Sequence, residues 1–436
     1  MLYHSTNDKF PKVNFKEATI KGLAPDKGLY FPEEIPSIDK KFISNIDQYS
    51  KEEIAFKVIK PYTGDVIPDE ELKRIVAETI NFDFPLVAVT DRIFSLELFH
   101  GPTLAFKDVG ARFMSRCLGY FVKNDARNSF QKLTVLVATS GDTGGAVANG
   151  FFDVDGVDVV ILYPAGKVSS VQELQLTTLG KNISALKIEG TFDDCQKMVK
   201  QAFADEDLRN ELFLTSANSI NVARWLPQQF YYFFAYSQWK NKNNPPVISV
   251  PSGNFGNICA GLLAHRSGLP VQHFIAACNA NDVVHNYLET GTYTTRQSIA
   301  TLSNAMDVGN PSNFVRILEL FNQEFQSLKN VMSTYTISDE ETKATLAEVH
   351  AETNYLLDPH GAVGYLALHR YLDQYPELSG FFLETAHPVK FYDAVESVTG
   401  KKVPMPSAVK DLLNLKKVSI KMEAEYKELK EYLLSK

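Results

Sequence analysis

The chain has 436 residues, 44% of them apolar and 22% charged, usage that excludes a disordered, collagenous or coiled-coil protein. At roughly 150 residues per domain the length makes two or three compact units. Lysine and arginine number 44 against 52 acidic residues, a net charge of −8 that repels phosphate backbones, so nucleic acid is not an expected partner.

In chain order, the turn Gly22-Leu-Ala-Pro-Asp-Lys-Gly28 precedes Leu29-Tyr-Phe-Pro32 and a helical stretch after Lys51; residues 1–95 are read as an amino-terminal domain. The body, 96–436, divides into a smaller lobe near 105–190 and a larger one near 191–436. From Lys107 the spacing of Val109, Phe113, Cys117 and Phe121 predicts an amphipathic, core-facing helix. Leu133–Ala138 follows as a buried strand, Thr139-Ser-Gly-Asp-Thr-Gly144 as a loop, and Gly145-Ala-Val-Ala148 as the start of a helix. Val157–Leu162 is the next strand, and Ser169 or Ser170 caps a helix carrying Val171, Leu174 and Leu179. Ile183–Ile188 and a helix with Cys195, Met198 and Val199 repeat the pattern. Val247–Val250, a turn, a helix from Ile258 to Ser267 and the strand His273–Ala277 form a second such run. Strands alternating with helices of this length predict an α/β fold of mostly parallel sheets in two lobes. The last twenty residues, rich in Lys and Glu, read as an exposed helix with a solvated face.

No apolar run approaches the about 18 residues of a bilayer span, and Met1–Lys9 lacks the apolar core of a secretory signal; a cytoplasmic protein away from membranes is expected. Cys117, Cys195, Cys259 and Cys278 fit neither a disulfide framework nor close metal-ligand spacing, so they are expected to be reduced core residues and no metal is expected.

Ligands collect at the carboxyl ends of parallel strands, which directs attention to two glycine-bearing turns. Ser252-Gly-Asn-Phe-Gly-Asn257 lets backbone N–H groups approach an anion at a helix start; a mere tight turn is the bland alternative. Thr139-Ser-Gly-Asp-Thr-Gly144 suits a small carboxylate; alternatively Ser140, Asp142 or Thr143 only caps a helix. Lys107 stands between bulky apolar residues at a helix amino end, where burial and the dipole favour a neutral, imine-forming amine. A snorkelling lysine paired with Asp108 is the bland alternative. Together an imine-forming lysine, a phosphate cradle and a carboxylate-holding turn are the parts needed for pyridoxal 5′-phosphate and an amino acid. Thr385, closing Phe381-Phe-Leu-Glu-Thr385, places a hydroxyl for the pyridine nitrogen or caps a strand end.

The strings His100-Gly-Pro-Thr-Leu-Ala-Phe-Lys-Asp108, Ser140-Gly-Asp-Thr-Gly144, Pro251-Ser-Gly-Asn-Phe-Gly-Asn257, Asp358-Pro-His-Gly-Ala-Val363 and Glu384-Thr-Ala-His-Pro-Val-Lys390 resemble the threonine synthase family in order and spacing. The resemblance covers nearly the whole chain and is closest to the longer branch with an extra amino-terminal domain. It implies the tryptophan synthase β-like fold (fold type II of pyridoxal-phosphate enzymes). It also implies conversion of O-phospho-L-homoserine and water to L-threonine and phosphate, a lyase reaction of amino-acid biosynthesis. By the same resemblance Lys107 forms the imine with the cofactor, Gly253, Asn254, Phe255, Gly256 and Asn257 bind its phosphate, and Thr385 faces its ring nitrogen. Ser140, Asp142 and Thr143 then hold the substrate carboxylate, with Asp142 where shorter relatives carry Asn. The substrate phosphate needs a further cation; Arg112, Arg116, Arg224 and Lys390 lie near the matched strings, each as readily a surface cation, and Arg224 is chosen. His100, His360 and His387 are read as structural. The alternatives are a serine or threonine dehydratase-like lyase of the same fold and a non-catalytic anion-binding α/β protein.

Overall fold

Val247–Pro251 is five consecutive buried residues, a run that suits a strand covered on both faces by helices. In the computed structural model, which describes residues 1–124 and 133–436, this strand lies inside a six-stranded sheet. The order is Met332–Thr336, His273–Cys278, Val247–Pro251, Gly380–Glu384, Ile93–Glu97, Leu86–Ala88. Every pairing is parallel except the last, which is antiparallel. Register aligns Val247 with both His273 and Gly380, and Gly380 with Ile93. The carboxyl ends of these strands, at Pro251, Cys278, Glu384 and Glu97, therefore share one edge, where ligands bind in open parallel sheets. Helix Pro359–Gln374 packs across the sheet: Ser249 Oγ donates to the Gly364 carbonyl at 2.7 Å, and Gly364 leaves room for Pro251.

These elements belong to one of two compact units, formed by Met1, 31–106 and 225–404. The other comprises 2–30, 107–224 and 405–436, and holds a five-stranded, wholly parallel sheet. Its order is Ile420–Glu423, Ile183–Glu189, Val157–Pro164, Leu133–Ala138, Phe213–Ser216. Helix Lys107–Lys123 buries Val109, Phe113, Cys117 and Phe121, the stripe expected from the sequence. The helix expected from Gly145 begins three residues earlier and runs Asp142–Phe151. Ser169 caps Ser170–Thr177 through a reciprocal bond pair with Gln172, and Leu179 lies beyond that helix.

The carboxyl terminus departs from the expectation of a solvated helix. Ile420–Glu423 pairs with Ile183–Glu189, and helix Tyr426–Leu434 buries Leu429 and Leu433 in a core shared with Leu186, Cys195, Met198 and Met422. A narrow apolar stripe among lysines and glutamates is enough to seat a helix on a sheet. All four cysteines are free and buried, as expected. Among the described residues no helix is long and apolar enough to cross a membrane.

Candidate active site

The glycine turn leaves the central strand at a fixed angle. Ser252 donates its backbone N–H to the Ala277 carbonyl and its hydroxyl to the Val250 carbonyl, each at 2.8 Å. Phe255, with φ of 58°, then takes the left-handed conformation and caps helix Gly256–Arg266, so Gly256 and Asn257 form its first turn, two residues ahead of the expected start. Gly253 has no room for a side chain: an added Cβ would stand 2.6 Å from Met306 Cα. Asn254 Oδ1 accepts the Ser312 N–H at 2.6 Å, and the Asn254 carbonyl accepts the Asn313 amide. The Tyr232 hydroxyl reaches Asn257 O and Oδ1 at 2.8 and 2.9 Å, while Asn257 Nδ2 is buried without a protein acceptor among the described residues. A buried amide donor beside the unsatisfied N–H groups of a helix start fits a dianionic phosphate.

Thr385 directly follows the neighbouring strand and is 7% exposed. Its carbonyl accepts the Phe106 N–H at 2.9 Å, and the next residue, Ala386, bridges Ala105. Leu104 (φ 58°) accepts the His387 N–H at 3.0 Å, so the segment before Lys107 is bonded to the strand end that carries Thr385. Lys107 follows Phe106 directly and is the first residue of helix Lys107–Lys123; its side chain is half-buried.

In the second turn, Thr139 does the capping assigned in the sequence to Ser140, Asp142 or Thr143. Its Oγ1 accepts the N–H groups of Gly141 at 2.9 Å and Gly144 at 2.8 Å. Asp142 is buried, and its Oδ1 accepts the Gln172 amide at 2.9 Å. A Cβ on Gly141 would meet that same amide, at 2.4 Å from Gln172 Cδ, so glycine is required there for the Asp142–Gln172 bond as well as for its φ of 136°.

The reading of the basic residues as surface cations is corrected for two of them. Arg224 is 3% exposed, and its guanidinium donates to the Ala217 carbonyl. Lys390 is fully buried, with Nζ donating to the Thr103 carbonyl at 2.9 Å. Arg116 donates to the Gly150 carbonyl at 2.9 Å, tying its helix to Asp142–Phe151, and Arg112 is half-buried.

The three histidines are all hydrogen-bonded. His100 Nε2 pairs with Glu97 at 2.7 Å. His387 Nδ1 accepts the Val389 N–H, and burial first, then His100, lowers its pKa to about 4, which keeps the ring neutral. His360 Nδ1 meets Asp358 Oδ2 at 2.5 Å, while its Nε2 accepts the Ala305 N–H at 3.1 Å. Sequence reasoning missed the acid behind this group. Glu384 is fully buried, accepts the Asp358 N–H at 2.7 Å, and has its pKa raised well above the carboxylate range by burial and by the Asp358 charge. The available signal was an acid directly after Phe381-Phe-Leu383 in a strand. Among the described residues no cluster of His, Cys, Asp or Glu is suited to a metal.

Comparison with known proteins matches residues 2–80 to the threonine synthase N terminus, 88–379 to the pyridoxal-phosphate dependent enzymes, and 361–433 to the threonine synthase C-terminal family. A Serratia marcescens threonine synthase is 43% identical over 436 residues, covering 100% of this chain and 99% of that protein. The crystal structure of Escherichia coli threonine synthase superposes with a TM-score of 0.92 at 42% identity, covering 100% of each chain. A pyridoxal-phosphate-bound threonine synthase from Brucella melitensis gives 0.91 at 37%, covering 100% of this chain and 99% of that one.

Proposed function

The chain belongs to the threonine synthase family of pyridoxal-phosphate-dependent lyases, and from that membership we propose how its residues convert O-phospho-L-homoserine and water into L-threonine and inorganic phosphate. Its fold is fold type II and its cofactor is pyridoxal 5′-phosphate. When bound, that cofactor supplies an electron sink for negative charge developing at the substrate's Cα and Cβ. We assign Lys107 to hold its aldehyde carbon, the turn Gly253–Asn257 its phosphate and Thr385 its ring nitrogen. A neutral hydroxyl at Thr385 leaves that nitrogen without a fixed counter-charge.

Lys107 Nζ then takes the proton at Cα and manages the proton traffic at Cβ and Cγ as phosphate departs. Water adds at Cβ, and the proton returned to Cα completes threonine. Ser140 and Thr143, with the helix start at Asp142, bind the substrate carboxylate. Asp142 cannot attract a second carboxylate, and its bond to Gln172 supports a role in orienting the turn. Arg224 is assigned to the leaving phosphate, with its guanidinium oriented by the Ala217 carbonyl. Residues 1–95 are assigned as an amino-terminal domain and 96–436 as the cofactor-binding body in two lobes, a cytoplasmic enzyme without membrane attachment.

The observation that carries this reading is the Phe106 N–H bond to Thr385, which ties the residue before Lys107 to the strand end bearing the proposed ring partner. Borohydride reduction of the holoenzyme followed by peptide mapping tests it. The expected result is a pyridoxyl group on Lys107, with phosphate released in step with threonine. A label on another lysine, or an oxo acid in place of threonine, overturns the assignment.

A further inference from the structure

The His360 ring is held from both sides by groups that dictate its tautomer. Ala305 N–H donates to Nε2, so Nε2 is an acceptor and the ring proton sits on Nδ1, donated to Asp358 Oδ2. Asp358 is itself fixed: its other oxygen accepts the Gly361 N–H at 2.8 Å as the cap of helix Pro359–Gln374, and its own N–H donates to buried Glu384. On the far side of the ring, Ala305 and Met306 are the backbone against which Gly253 packs, with Ala305 O 2.9 Å and Met306 Cα 2.6 Å from where a Gly253 Cβ would be. One chain of contacts thus runs from the end of the strand bearing Thr385, through Glu384, Asp358 and His360, to the glycine turn.

We propose that His360 is a positioning residue for the cofactor phosphate: through its Nε2 acceptor it seats the Ala305–Met306 backbone against Gly253 and so holds the turn in its anion-binding shape. The requirement is for an acceptor at the Nε2 position, beyond the bulk of a ring. Loss of that acceptor leaves the half-buried Ala305 N–H without its side-chain partner, and the segment is no longer held against the turn. The inference rests on the assignment of Gly253–Asn257 as the phosphate site.

The test compares two isosteric replacements. His360→Gln places an amide oxygen where Nε2 was; His360→Asn places its amide at Nδ1, keeps a donor to Asp358 and leaves Ala305 without an acceptor. Apo-protein titrated with pyridoxal 5′-phosphate, followed by tryptophan fluorescence, gives Kd. Near-ultraviolet circular dichroism checks folding. The expected result is a Kd within threefold of wild type for His360→Gln and at least tenfold weaker for His360→Asn. Equal Kd values for the two, or no weakening in His360→Asn, overturn the proposal. Should His360→Asn not fold, His360→Phe keeps the bulk of a ring and removes the Nε2 acceptor; an unchanged Kd there overturns the proposal equally. Gly253→Ala separates the two levels. Unchanged affinity in that variant removes the phosphate-site assignment and the proposal with it, whereas weakened affinity beside an unaffected His360→Asn removes the His360 role alone.

Discussion

Glu384 accepts the backbone N–H of Asp358 at 2.7 Å, and both side chains are fully buried. Two acids in one dry site cannot both ionise cheaply. The Asp358 oxygens are taken by the Gly361 N–H and the His360 ring, and burial first, then the Asp358 charge, raises the Glu384 pKa well above the carboxylate range. Glu384 keeps its proton and acts as a neutral group that fixes the start of helix Pro359–Gln374 against the strand end.

This arrangement predicts a pH-dependent stability. The unfolded chain ionises Glu384 near the ordinary 4.5, whereas the folded chain raises that value. Its stabilising contribution is therefore complete below about 4.5 and is lost as pH rises toward the folded value. Glu384→Gln keeps an acceptor for Asp358 and removes the titration. The variant should gain on wild type by up to about 1.4 kcal/mol per pH unit as pH rises above that range. Urea unfolding of the apo-proteins at mildly acidic and mildly alkaline pH measures it, and a stability difference that stays constant with pH would contradict a neutral Glu384.

Two glycines one turn apart in helix Pro359–Gln374 should respond very differently to alanine. At Gly361 a Cβ would lie 1.5 Å from Glu384 Oε2 and 2.4 Å from its Cδ, and burial and the Asp358 bond leave that carboxyl nowhere to go. Gly361→Ala is expected to destabilise by about 2–3 kcal/mol, the overpacking cost exceeding the gain of about 1 kcal/mol in helix propensity. At Gly364 the nearest atom is Pro251 Cγ at 3.1 Å, a contact that a few tenths of an ångström relieve. Gly364→Ala should stay within about 1 kcal/mol of wild type. Denaturant midpoints at constant m-value decide between them, and equal costs would show that Glu384 is not the obstacle.

Much of this was legible in the sequence, for identifiable reasons. Val109, Phe113, Cys117 and Phe121 announce their helix because one face of it is buried. Leu133–Ala138 and Val157–Pro164 announce themselves because central parallel strands are nearly continuous apolar runs. The start of helix Asp142–Phe151 was misplaced because Thr139, outside the helix, makes the capping bonds while the more obvious Ser140 does not. Leu429 and Leu433 were outvoted by the lysines and glutamates around them. Glu384 and His360 were legible as letters in motifs, but their roles depend on Asp358 and Ala305, which only the folded sheet brings to them.

Lys107→Ala should lower turnover by roughly 10³-fold or more, since the change removes both the covalent attachment point and the proton carrier. Lys107 opens its helix and is half-buried, so the buried stripe behind it stays intact and unfolding should move by less than about 1 kcal/mol. Threonine formation from O-phospho-L-homoserine, with circular dichroism as the folding control, checks both halves. Residual turnover near wild type would remove Lys107 from the mechanism.

The four cysteines give a last prediction, about chemistry that should not occur. Cys117, Cys195, Cys259 and Cys278 are free and buried. For Cys195, Cys259 and Cys278, burial above all pushes the thiol up to about 12. At pH 8 the thiolate fraction of such a group is on the order of 10⁻⁴, and the thiolate is the form that reacts. Native protein should therefore leave Ellman's reagent almost uncoloured over an hour, and all four thiols should react at once in concentrated urea. Rapid labelling of even one cysteine in the folded enzyme would show that a core layer opens far more often than the packing implies. Slow labelling whose rate follows the urea dependence of unfolding would show that the thiols are reached only when the core itself opens.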